Sequence, residues 1–148
     1  MTLSSTEPIS PATRVLGWGG LLPFVGGAIA VIVAPPAWHD IAVGALVAYG
    51  AVIVSFLGGI HWGSPTGAAH DAARLWGVLP SLLAWTLLLL PPSGWALFGV
   101  AAALVLCWAV DRSRFPAMGL SAMLPLRALL SAVAIVSCLA AAAFASSR

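Results

Sequence analysis

Apolar residues run along this chain in long unbroken blocks, not in the alternation of strands or the narrow stripes of soluble helices. Five blocks stand out, at about residues 16–34, 41–62, 72–90, 94–110 and 124–145. Each is near the roughly 20 residues that carry a helix across about 30 Å of hydrocarbon. Proline marks the breaks between them, with Pro35 and Pro36, Pro65, Pro91 and Pro92, and Pro116 all placed where a helix stops or restarts. The pattern predicts an all-α polytopic bundle of five transmembrane helices. The short breaks at 35–40 and 91–93 make the first two spans, and the third and fourth, antiparallel hairpins. The fourth block is the shortest and is expected to cross with little tilt. Polar residues 1–13 read as an N-terminal tail on a single membrane domain covering residues 1–148.

Helix-start chemistry agrees with this division. Asp40, Asp71 and Ser93 each stand just before an apolar block, where a short polar side chain accepts from exposed amides. The first block continues through Val31, Ile32 and Val33, longer than the apolar stretch of a signal peptide, so it reads as a retained span.

Composition confirms the class, because 61% of the residues are hydrophobic and only 7% charged, against roughly 25% charged in a soluble domain. There is no Lys, Asn or Gln, and every basic residue other than histidine is Arg. Lys and Asn use AT-rich codons, so their absence points to a GC-rich bacterial source and a multi-pass protein of the bacterial inner (plasma) membrane. Arg14, Arg74, Arg112, Arg114 and Arg127 fall on one side of the five-span arrangement, which places the N terminus in the cytoplasm and the C terminus outside.

The second block carries the most informative string, Ser55 to Gly63. Ala51, Ser55, Gly59 and Gly63 recur every four residues and define a ridge of small side chains for close helix packing. Ala134, Cys138 and Ala142 repeat the device in the fifth block. Trp18, Trp62 and Trp76 sit at the inner depth, and Trp38 and Trp95 at the outer edge, as two aromatic belts. A second group lies in or near the cytoplasmic half: Pro23, Tyr49, Gly58, His61, Trp62, Pro80, Trp85 and Arg127. Pro23 and Pro80 interrupt their helices and free backbone carbonyls. Together these residues define a candidate pocket, although His61 and Arg127 at the membrane edge also suit simple snorkelling into the headgroups.

Other chemistry is missing. None of Glu7, Asp40, Asp71 and Asp111 falls inside a predicted span, as the ion sites of coupled transporters do. Histidines and cysteines show no ligand spacing, so no metal and no cofactor is expected. No nucleophile elbow, phosphate loop or basic nucleic-acid patch is present. The expectation is therefore a non-enzymatic accessory or assembly protein. It would pack against lipid and a membrane-protein partner or a second copy of itself, without nucleic acid. The alternative is a small-molecule or lipid binder or facilitator using the cytoplasmic-half pocket.

Leu22-Pro23-Phe24, Ala48-Tyr49-Gly50, the Ser55 to Gly63 string, Pro80 to Trp85, and Leu126-Arg127 together carry a resemblance. The chain is similar, over about residues 12–140, to the small membrane proteins sharing the domain of unknown function found in mammalian transmembrane protein 69. The resemblance implies a five-span protein of bacterial or mitochondrial inner membranes and no particular activity.

Overall fold

A computed structural model of the chain describes residues 9–63 and 71–146. All of its regular elements among those residues are helical. In order they are α1 (Pro11–Gly19), α2 (Leu22–Val33), α3 (Pro36–Gly59), α4 (Asp71–Leu88), α5 (Gly94–Arg114) and α6 (Leu124–Ala145). Short 3-10 turns extend α3 over Ile60–Gly63 and precede α6 over Ser121–Met123.

Among the described residues, four stretches are long and apolar enough to cross a bilayer: Pro11–Val33, Pro36–Gly63, Gly94–Arg114 and Ser121–Ala145. α4, the counterpart of the third predicted span, is not among them, because Asp71, Arg74, Pro80 and Ser81 dilute its apolar content. Many large side chains point outward, including Leu22, Ile29, Phe56, Trp85, Trp95 and Val136. In water this would be untenable; against lipid tails it costs nothing.

Several boundaries differ from the sequence expectation, each for a local reason. α1 starts at Pro11, inside the expected tail, because Ser10 caps it by accepting from the Thr13 amide at 3.1 Å. Gly20 and Leu21 form a turn, so Pro23 lies in the first turn of a new helix and interrupts nothing within it. α3 starts at Pro36, which places Asp40 within the helix and not at its cap, since proline is well suited to the first helical position. Ser93 does cap α5, accepting from the Ala96 amide at 3.3 Å. Residues 64–70, with Pro65 and His70, lie outside the described residues, and so does whatever precedes Asp71.

The largest correction concerns α5. It does not stop at Val110 but continues through Asp111 to Arg114. The polar residues that seemed to end the span extend it, because the one facing inward finds charged partners there.

The bundle is held by two extensive pairings, α5 on α6 and α3 on α4, with α2 wedged against α3 and α6. Its core runs through Phe24, Leu46, Val54, Leu97, Leu104 and Cys138, all at most 2% exposed. Cys107 and Cys138 are both free and buried. Tyr49 ties α3 to the α1–α2 turn by donating to the Gly20 carbonyl at 2.8 Å, with its ring edge-on to Phe24 at 5.0 Å.

A buried ion cluster at one end of the bundle

α3, α5 and α6 bring His61, Asp111 and Arg127 together at one end of the bundle. Asp111 extends the buried face of α5, one turn beyond Cys107 and two beyond Leu104, and is 0% exposed. Arg127 opens α6 after Pro125, with its side chain only 10% exposed. His61 sits in the 3-10 turn that ends α3 and is also 0% exposed.

The carboxylate divides its two oxygens between two bases. Oδ2 accepts from Arg127 Nε at 2.9 Å, and Oδ1 lies 3.5 Å from His61 Nε2. Arg127 also donates from Nη1 to the hydroxyl of Ser131, which itself donates to the Arg127 carbonyl at 2.7 Å. Phe115 is 1% exposed and lies over the imidazole with ring centroids 6.2 Å apart. Both ring nitrogens of His61, Asp111 Oδ1 and Arg127 Nη2 are buried without a hydrogen-bond partner among the described residues. The Asp71–Arg74 pair on α4, at 2.7 Å, is different in kind, because Asp71 is 62% exposed.

His61 therefore does not snorkel. The expected pocket is not assembled either: Pro23 faces outward, as does Trp85 at 58% exposure, and Tyr49 is engaged at the α2–α3 contact. Pro80 is buried against Gly58, where an added Cβ would lie 3.0 Å from the proline Cγ. Trp62 is 58% exposed, yet its indole edge covers Gly77, whose Cβ would lie 2.7 Å from the ring. Of the eight residues, only His61 and Arg127 share one polar cluster.

The small-residue ridge is also redistributed. Ala51 is buried and Ser55 partly so, whereas Gly59 and Gly63 are exposed, with no described atom beyond the local backbone within 4 Å of the point where a Cβ would stand. The close approach is made by Gly58, where a Cβ would come within 2.6 Å of the Gly77 carbonyl oxygen. Ala134 and Cys138 are buried as expected, on the α6 face that continues to Ser131 and Arg127.

Sequence reasoning missed Asp111, Phe115 and Ser131. The signal for Asp111 was its register, since Val100, Leu104, Cys107 and Asp111 recur at helical spacing. Ser131 was marked by its place four residues from Arg127.

No group of three or more His, Cys, Asp or Glu among the described residues is arranged to hold a metal ion. At the opposite end, a hollow of about 260 Å³ is bordered by His39, Asp40, Ser93, Trp95 and Ser146.

Fold and cluster define a small multi-pass α-helical membrane protein with an acid–base cluster sealed inside its bundle. The chain belongs to the family described as protein of unknown function (DUF3429), which matches residues 9–143. It is similar to transmembrane protein 69 of Xenopus tropicalis, with 40% identity over 79 residues. That match takes in 50% of this chain and 31% of the relative, so the chain spans about a third of that relative's length. No solved structure matches it.

Proposed function

We propose that this is a non-enzymatic accessory or assembly protein of the bacterial inner membrane, which docks a membrane partner or a second copy of itself at the end of α3. The observation that carries the reading is the outward placement of Gly59 and Gly63. Both are exposed, Gly59 at the end of α3 and Gly63 in the 3-10 turn that follows, and no described atom beyond the local backbone lies within 4 Å of where a side chain would begin. Small residues on a lipid-facing helix let another backbone approach closely, and helix association in a bilayer depends on that contact. By contrast, the buried acid–base cluster is sealed: His61 and Asp111 are 0% exposed, beyond direct contact with a substrate. This supports a docking role over an enzymatic one. The binder or facilitator reading is less well supported, because Pro23 and Trp85 face away from the cluster.

The test is purification in mild detergent after crosslinking in native membranes. We expect a crosslinked neighbour in the wild type and its loss in Gly59→Leu and Gly63→Leu. Neither glycine has a positive φ, and Leu at Gly59 gains up to about 1 kcal/mol in helix propensity, so the fold should tolerate both changes. A wild-type protein that is monomeric with no crosslinked neighbour would sink the proposal.

A further inference from the structure

The ion cluster does more than hold three helices together: we propose that it is a proton-binding site, with His61 as the group that takes up the proton and Asp111 as its counter-charge. Asp111 is shared unevenly between its two partners. With neutral histidine, the carboxylate and the Arg127 guanidinium balance each other, and Oδ2 alone is engaged through a hydrogen bond at 2.9 Å. Oδ1 faces His61 Nε2 at 3.5 Å, too long for a good hydrogen bond but close enough to feel a charge. A proton on the imidazole would convert that loose contact into a second ion pair on the free oxygen. It would also draw the end of α3 toward α5.

Among the described residues, Asp111 is the acid that faces His61. From α5, His61 meets Asp111 and the ring of Phe115, which follows that helix, and Cys107 lies one turn below the carboxylate. From α6 the charged group is Arg127, already committed to Oδ2 and Ser131. From α4 the contact is made beside Gly58 by Gly77 and Pro80, and the ionisable residues of that helix, Asp71 and Arg74, are paired with each other nearer the surface. A proton is also the ligand that a sealed site of this size admits, because it needs no cavity. Ionisable groups buried in membrane bundles are costly to keep and commonly serve proton binding or relay.

This inference is independent of the docking proposal and is tested on the single chain in lipid nanodiscs, without any partner. Nitrogen-15 spectra of labelled histidine, assigned by difference from His61→Gln, should show a protonation step at the His61 ring as the buffer is acidified. In the same wild-type samples the infrared carboxylate stretch of Asp111, assigned against Asp111→Asn, should shift with the same midpoint. The His61 step should be lost in Asp111→Asn. A His61 ring that keeps one state throughout, a carboxylate band that does not move with it, or an unchanged titration in Asp111→Asn would each overturn the proposal. Where His61→Gln or Asp111→Asn fails to fold, the His61 signal is assigned by elimination, with His39→Gln and His70→Gln identifying the other two histidines, and the first outcome is still read on the wild type.

Discussion

Asp111 joins three helices because each of its oxygens faces a different base, and that makes its removal more damaging than an isolated pair would suggest. Taking away one member of a buried pair leaves the other charge unpaired, at about 3–5 kcal/mol, whereas replacing both by apolar residues of similar volume is often neutral. Asp111→Leu and Arg127→Met should therefore each lower unfolding stability in detergent by about that amount, and the double variant should recover most of it. A double-mutant cycle measures this, and additive losses would show that the 2.9 Å contact does not couple them. The sequence offered half of this pair. Arg127 stands out as a cation opening an apolar run, but Asp111 reads as the end of a span, because its polarity masks its register. The residue continues the buried face of Val100, Leu104 and Cys107, and its cost is met by a partner 16 positions away, which no local pattern reveals.

At the scale of elements, the four-residue ridge on α3 shows how a correct device can be placed on the wrong face. Steps of four residues advance roughly 400° around a helix of 3.6 residues per turn, so each drifts about 40° and the line from Ala51 to Gly59 wraps away from the neighbour it began beside. The 3-10 turn at Ile60–Gly63 breaks the register further and returns His61 to the interior. Gly58 is the glycine on the contact face, and the two neighbours should respond oppositely to one methyl group. Gly58→Ala would force a Cβ within 2.6 Å of the Gly77 carbonyl, against backbone that cannot rotate aside. It should destabilise by about 1–3 kcal/mol. Gly59→Ala meets nothing described and should be neutral or stabilising by up to about 1 kcal/mol. Thermal unfolding in one detergent ranks them, and a reversed order would refute the assignment of faces. Helix existence was legible throughout because long apolar blocks and proline breaks act locally. The facing of each helix was not, because it depends on which neighbour arrives.

For the whole molecule, the question that separates the two available topologies is whether α4 crosses the bilayer. Four crossings return both termini to one side; five leave them on opposite sides. We predict five, with the N terminus in the cytoplasm. α4 has 18 residues, about 27 Å at 1.5 Å per residue, which nearly matches the hydrocarbon thickness. Its charged pair, Asp71 and Arg74, lies in its first turns, where it can reach the headgroups, and the rest of the helix is uncharged. It packs extensively along α3, and it presents Leu79, Leu82 and Trp85 outward, as a lipid-facing helix does. With α4 crossing, Arg14, Arg74, Arg112, Arg114 and Arg127 share one side, whereas a four-span arrangement would divide them. Single cysteines at Ser10 and Ser146, probed in intact cells with a membrane-impermeant maleimide, distinguish the two. Both native cysteines are buried and should stay silent. We expect labelling at position 146 from outside and at position 10 only after the membrane is opened. Equal behaviour at the two positions would show that α4 does not cross, and would remove the arginine asymmetry on which the orientation rests.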